Sequence, residues 1–185
     1  MSNPSNQFIK STILKLLGAI GSEKEINKYI EKFSSPEQRF AVIKVGGSVI
    51  DNDLENLISS LVFLNQVGLK PVILHGAGPM LSAALEEKKI DFSFIDGQRV
   101  TSLEVRDVAY SVFKETNKKI VEALETQGAK AHGLISNIFE CTMADPSLGY
   151  VGSIQSVDIN LINEVLELDS IPVIAPVGFQ DNEVL

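Results

Sequence analysis

The sequence predicts an α/β fold, a three-layer αβα sandwich with a mainly parallel sheet, preceded by an N-terminal helical arm. Three observations predict it. From Arg39 onward, apolar runs of strand length alternate with helix-length stretches, the pattern of a parallel sheet covered by helices. Two of the strand runs close on glycine turns, Phe40-Ala41-Val42-Ile43-Lys44-Val45-Gly46-Gly47-Ser48 and Pro71-Val72-Ile73-Leu74-His75-Gly76-Ala77-Gly78-Pro79. The chain's 185 residues, 44% hydrophobic and 22% charged, suffice for one ordinary domain with a real core.

The elements follow in order. Residues 8–33 read as two helical segments. Phe8, Ile9, Ile13, Leu16 and Leu17 recur at helical spacing, Gly21 interrupts, and Ser22-x-x-Glu25 is a capping box that restarts a helix carrying Ile26, Tyr29, Ile30 and Phe33. Ser34-Ser35-Pro36 sets this arm apart, so residues 1–35 form the arm and 36–185 the main body. The arm reads equally as a cap on its own domain or as an oligomerisation element. A strand over 40–45 leads to the first turn, and Leu54, Leu57, Ile58, Leu61 and Val62 mark one face of a helix over about 52–67. A strand over 70–75 and a helix over 79–89 come next, then an irregular stretch over 90–100.

Thr101-x-x-Glu104 reads as a capping box opening a long helix to about Gln127, where Gly128 stops it. A strand over 130–135 follows. Residues 138–157 read as a hairpin-like excursion around the turn-rich Ala144-Asp145-Pro146-Ser147-Leu148-Gly149. A short helix over 159–167 precedes a strand over 171–176, and the βα rhythm breaks off after it.

In parallel sheets, ligands sit at the carboxyl ends of the strands, where both glycine turns fall. A glycine lets its backbone N–H approach an anion closely, and a turn that feeds a helix adds a positive dipole. The two turns, Gly46-Gly47-Ser48 and Gly76-Ala77-Gly78, therefore form a candidate phosphate-sized cradle, with Lys44 supplying a full charge beside it. The lysine precedes the glycines, so this is not a P-loop, and Leu81 stands where a dinucleotide fingerprint needs its third glycine. Arg99, just before a capped helix, reads either as a solvated arginine or as a bidentate carboxylate clamp. His75 reads as a partly buried histidine holding its turn, His132 as structural, and Asn117, Lys118 and Lys119 as a solvated helix face.

Bulk properties exclude other classes. A net charge of −8 argues against nucleic acid. No apolar run approaches the ~20 residues of a membrane span, and the first residues carry no basic secretory region. Cys141 is the single cysteine, so no internal disulfide forms; it reads as a small buried hydrophobe, and the default compartment is cytoplasmic. One cysteine and two distant histidines make no zinc site, and no metal ligands are identified.

Taken in order, these segments resemble the amino acid kinase (carbamate kinase-like) family, in particular its N-acetylglutamate kinase branch. The resemblance rests on Ile43-Lys44-Val45-Gly46-Gly47-Ser48, His75-Gly76-Ala77-Gly78-Pro79, Gly97-Gln98-Arg99-Val100-Thr101, Leu148-Gly149-Tyr150-Val151-Gly152 and Ile171-Pro172-Val173-Ile174-Ala175-Pro176-Val177-Gly178. The leading arm is similar to a sub-branch in which the kinase domain is fused to an acetyltransferase. The resemblance implies ATP-dependent phosphorylation of the side-chain carboxylate of N-acetyl-L-glutamate in arginine biosynthesis, with Mg as the nucleotide's companion. It implies that Lys44 steadies the transferring phosphoryl group, that Gly46, Gly47, Gly76 and Ala77 offer N–H groups, and that Arg99 holds the substrate α-carboxylate.

It also implies that residues 36–185 are the N-terminal, substrate-binding lobe. The family's Asn/Asp segment, second lysine and ATP lobe do not occur in the 185 residues, and Gly133-Leu134-Ile135-Ser136-Asn137 stands near the place of the usual Gly-Leu-Ser-Gly-Lys-Asp run. The isolated chain is therefore expected to be inactive or nearly so. Homo-oligomerisation, arginine as an effector and a downstream acetyltransferase are further expectations of the resemblance. The alternative is a non-catalytic, arginine-sensing kinase-like domain. A family member acting on aspartate, carbamate or a nucleoside monophosphate is a third reading, which the Gly-x-Arg-Val-Thr setting of Arg99 disfavours.

Overall fold

The computed structural model describes residues 41–66, 69–181 and 183–185. The helical arm expected over 1–35 lies outside them. In chain order the elements are β1 (Ala41–Val45), α1 (Gly47–Asn52), α2 (Leu54–Gln66), β2 (Pro71–His75), α3 (Gly78–Glu87), β3 (Phe94–Ile95), β4 (Gln98–Arg99) and α4 (Leu103–Thr126). They continue with β5 (Ala131–Leu134), β6 (Phe139–Met143), a 3₁₀ turn (Pro146–Leu148), β7 (Gly152–Val157), α5 (Ile159–Glu167), β8 (Ile171–Ile174), β9 (Gly178–Gln180) and β10 (Glu183–Val184).

A four-stranded parallel sheet in the order β1-β2-β8-β5 forms the centre. The register pairs Val45 with His75 and Ile73 with Val173, so the carboxyl ends of three strands lie side by side. One sheet face packs Val45, Ile73 and Val173 against Ile58 and Leu61 of α2 and Ile120 and Leu124 of α4. The other packs Val72, Leu134 and Ile174 against Ile162, Val165 and Leu166 of α5. Each such side chain contributes about 1.5–3 kcal/mol on full burial. Helices on both faces of a parallel sheet are the expected three-layer architecture. Leu81 and Leu85 of α3 pack on Val105 and Val112 of α4, fixing α3, and with it the second glycine turn, against the long helix.

A second sheet, in the order β10-β9-β6-β7, carries the expected hairpin of β6 and β7. β9 joins β6 in parallel, and β10 closes antiparallel on β9. Chain after residue 176 thus forms two further strands, too short to announce themselves by alternation.

Four local readings need correction. The helix expected over 52–67 begins at once after the turn: Gly47 already starts α1, and Asp53, at φ −146° and ψ 35°, separates it from α2. Asp53 then accepts a 2.7 Å bond from the Asn56 amide, the behaviour of a helix-starting residue. The stretch over 90–100 is not irregular; β3 and β4 pair around Asp96-Gly97, both at positive φ. An Asp-Gly pair is the two-residue hairpin signal. The cap of α4 is Ser102, whose side chain accepts from the Val105 N–H, while the Thr101 backbone bridges to Gly149. Asn117 is not part of a solvated face but one of the few buried polar residues, whereas Lys118 and Lys119 are exposed as expected.

Candidate functional site

The two glycine turns meet. The Gly76 N–H donates to the Val45 carbonyl at 2.8 Å, tying the end of β2 to the end of β1. Gly47 presses on the second turn so closely that an added Cβ would come within 2.8 Å of Pro79 Cδ, 2.9 Å of Gly78 N and 3.1 Å of Ala77 C. Only glycine fits there. Gly46 and Gly78 differ: an added Cβ would find nothing within 4 Å at either. The paired turns therefore have a packed underside and an open outer side. Gly46 and Ala77 are the N-caps of α1 and α3, and no side chain caps either helix. Helix starts carry N–H groups with no intrahelical partner, and here no side chain takes them.

Lys44 is exposed at the end of β1 and pairs in register with Leu74. Among the described residues it has no ion-pair partner. Leu74 borders a cleft of about 610 Å³ between the central and second sheets, lined also by Gly78, Leu81, Arg99, Tyr150 and Gly152. The cleft reaches the second turn at Gly78; Lys44, Gly46, Gly47, Gly76 and Ala77 adjoin it without lining it.

Arg99 is built into the wall. Its guanidinium lies 4.3 Å from the Phe92 ring centroid and 4.7 Å from that of Phe94. Nη2 donates to Ser82 Oγ of α3 at 2.7 Å, and Nη1 is buried without a partner. Burial lowers its pKa from the usual arginine value. Stacking on two rings holds the guanidinium in place and leaves Nη1 as a donor without a partner among the described residues.

Arg106 lines the same cleft and was not singled out by sequence. It bonds Glu183 of β10 at 3.0 Å and Asp107 at 2.9 Å, and its guanidinium stacks 4.5 Å over the Tyr150 ring. Its hydrogen bonds to the Asp107 carboxylate first, and then to that of Glu183, raise its pKa. With both acids engaged, Arg106 staples α4 to the end of the second sheet.

Beneath the turns lies a buried polar pair. His75 is 2% exposed and Asn117 1%. Asn117 Nδ2 donates to the Val173 carbonyl at 2.8 Å and lies 3.2 Å from His75 Nε2. Burial pushes the imidazole pKa down to about 4, with the Gly76 backbone opposing in part. His75 is fully rather than partly buried, and its hydrogen bond runs to Asn117 of α4 rather than to its own turn. Asn117 was missed because helical position alone does not separate a buried polar residue from a solvated one. Cys141 is buried, as expected, with its thiol pKa raised by burial. Gly178 packs against its Sγ where a Cβ would overlap. Among the described residues no three His, Cys, Asp or Glu side chains are grouped to hold a metal ion, and no helix is long and apolar enough to cross a membrane.

The model of the amino acid kinase family matches residues 39–184. The chain is 43% identical over 161 residues to a Xanthomonas campestris protein named acetylglutamate kinase, covering 86% of this chain and 38% of that protein. It is 39% identical over 167 residues to the Schizosaccharomyces pombe protein arg11, mitochondrial, covering 89% of this chain and 19% of that one. The chain thus spans well under half the length of either relative. A solved structure of Neisseria gonorrhoeae N-acetylglutamate synthase shares the fold, with a TM-score of 0.69 at 19% identity, over 83% of this chain and 38% of that one.

Proposed function

Because this chain belongs to the amino acid kinase family, we propose that it is the substrate-binding part of an acetylglutamate kinase-like enzyme of arginine biosynthesis. The proposed reaction transfers a phosphoryl group from ATP to the side-chain carboxylate of N-acetyl-L-glutamate. The observation that carries the reading is the close packing of two glycine turns whose outer side is open, beside an exposed lysine with no ion-pair partner among the described residues. Relatives named acetylglutamate kinase, at 40–43% identity, support the choice of substrate.

The chemistry suits these residues. A glutamate side chain ionises with a pKa of about 4.3, so the nucleophile is charged at neutral pH and needs no base. The difficulty is repulsion between a carboxylate and a polyphosphate, which positioning and neutralisation relieve. When bound, ATP supplies the transferable phosphoryl group. The open ground at Gly46 and Gly78 fits an oxyanion that a Cβ would displace. The Gly46, Gly47 and Ala77 backbone would orient its oxygens, and Lys44 would offset their charge; contrary to expectation Gly76 offers no free N–H, since its own is spent on the Val45 carbonyl and ties the two turns together. At 4 Å and an effective dielectric near 20, one lysine contributes on the order of 4 kcal/mol of attraction. The unpaired Arg99 Nη1 would take the α-carboxylate. No described side-chain cluster holds a metal, so Mg would be carried by the nucleotide's phosphates.

The same proposal assigns residues 36–185 to the substrate lobe and residues 1–35 to a homo-oligomerisation arm, with arginine as an effector. The compartment is a reducing one, cytoplasmic by default, as the lone cysteine allows. Calorimetric titration tests the core of the reading: N-acetyl-L-glutamate should bind, and Arg99→Ala should abolish the heat. Absence of binding by the wild-type chain refutes it. Heat on titrating arginine instead of N-acetyl-L-glutamate favours the sensing domain. Sedimentation of the chain lacking residues 1–35 tests the arm; an unchanged mass returns it to a cap.

A further inference from the structure

The position of the second glycine turn depends on more than the turn. One peptide before Gly76, the His75 imidazole lies at the centre of the sheet's carboxyl edge, and α4 reaches it through Asn117. The Asn117 amide has two hydrogens on Nδ2. One goes to the Val173 carbonyl, which can only accept, so the amide orientation is settled by that 2.8 Å bond. The second hydrogen then faces His75 Nε2 at 3.2 Å. Nε2 must be the acceptor, and the imidazole proton sits on Nδ1. Nδ1 makes no hydrogen bond of good geometry, and the Gly76 backbone acts on it only weakly, so the Asn117 amide is the main hydrogen bond that orients the ring.

The other end of the same amide presses on β5. A Cβ on Gly133 would overlap Asn117 Oδ1. One side chain therefore gauges three strands: β2 through His75, β8 through Val173 and β5 through Gly133. β1 enters through the bond from the Gly76 N–H to Val45. Filling this space needs no polarity, since an apolar pair would avoid the cost of burying an amide and an imidazole. Directional bonds gain what an apolar pair lacks, a fixed ring orientation next to the turn.

We propose that His75 and Asn117 are positioning residues of the glycine cradle, holding the Gly76–Gly78 turn in the one placement where it meets Gly47 with its outer side open. The proposal rests on the reading of that turn as an anion site, but its first test does not. In the free protein, nitrogen NMR should show the Nδ1–H tautomer at His75. His75→Leu should speed amide exchange at Gly76 by about tenfold, the equilibrium weight of one buried hydrogen bond. It should also shift the Gly76, Ala77 and Gly78 amides.

His75→Gln, which returns an acceptor to Asn117, should bring exchange back to within about twofold of wild type. Leu124→Ala, a core truncation at the far end of α4, should lower the melting temperature without moving those amides. N-acetyl-L-glutamate affinity should fall about tenfold in His75→Leu and recover in His75→Gln. An Nε2–H tautomer, unmoved turn amides in His75→Leu, or equal movement in Leu124→Ala overturns the proposal. If His75→Leu does not fold, the wild-type tautomer and the His75→Gln exchange rates decide it. If the wild-type protein does not bind N-acetyl-L-glutamate, the anion-site reading falls, while the exchange data still decide the positioning role.

Discussion

Gly46 and Gly47 are neighbours with opposite duties, and alanine separates them. At Gly47 the added carbon meets Pro79 Cδ at 2.8 Å, Gly78 N at 2.9 Å and Ala77 C at 3.1 Å. Two of these are backbone atoms and the third is a proline ring carbon, so no flexible side chain can yield. The turns must part. Overpacking of this kind costs about 1–3 kcal/mol. In a chain of this size each kcal/mol lowers the melting temperature by roughly 2–4 °C, so Gly47→Ala should melt roughly 2–12 °C lower. At Gly46 the carbon meets nothing within 4 Å, and φ of −70° suits any residue. The lost N-cap preference for glycine and the gained rigidity of alanine nearly cancel, so stability should stay within about 0.5 kcal/mol. The Gly46→Ala methyl nevertheless enters the space assigned to the anion, and calorimetry should show N-acetyl-L-glutamate binding weakened tenfold or more. Thermal melts that leave Gly47→Ala unchanged refute the close packing of the turns. Undiminished binding by Gly46→Ala refutes the placement of the ligand over them.

Three further predictions use the same geometry. Lys44→Met should leave the denaturation curve unchanged, since the side chain is exposed, and should lower kcat of the intact enzyme by orders of magnitude in a hydroxamate trapping assay. Arg99→Lys loses the fork that reaches Ser82 and the stacking on Phe92 and Phe94. A lost charged hydrogen bond costs about 1.5–3 kcal/mol, so Kd for N-acetyl-L-glutamate in calorimetry should rise roughly 10- to 150-fold. His75 makes stability depend on pH, because its pKa falls from 6.5 unfolded to about 4 folded. Between those values the unfolded chain binds a proton that the folded chain does not, so stability rises with pH across that window. Acidification to about 4 should remove up to about 3 kcal/mol, and denaturant titrations across the window should show a flatter profile for His75→Gln.

Much of the architecture was legible because its signals are local. β1 and β2 are apolar runs ending in glycine, α5 has a clear apolar stripe over Ile159–Glu167, and Gly128, at φ 85°, follows the end of α4. The meeting of the two turns followed from parallel-strand topology. What escaped is what three-dimensional pairing decides. β9 and β10 are short and owe their strand conformation to β6 and to each other. Ser102 displaced Thr101 as the cap because the Thr101 backbone is engaged with Gly149 and Tyr150. The burial of Asn117 depends on His75, Gly133 and Val173, residues far apart in sequence. Arg106 gained its place only when β10 brought Glu183 to it.

The strand order has a consequence for biogenesis. β8, the partner of both β2 and β5, is the last strand of the central sheet to be made; Ile73 pairs with Val173, a hundred positions later. At a ribosomal pace of ~5–20 residues per second, β2 waits on the order of 5–20 s for its neighbour. Throughout that interval β2 exposes an unsatisfied peptide edge, joined over the last forty residues by β5, whose Ala131 pairs with Ile171, and such edges invite pairing with other nascent chains. Destabilising changes in β2 or β5 should therefore depress the yield of protein in the cell more than their equilibrium cost suggests, and chaperone supply should matter most for such variants.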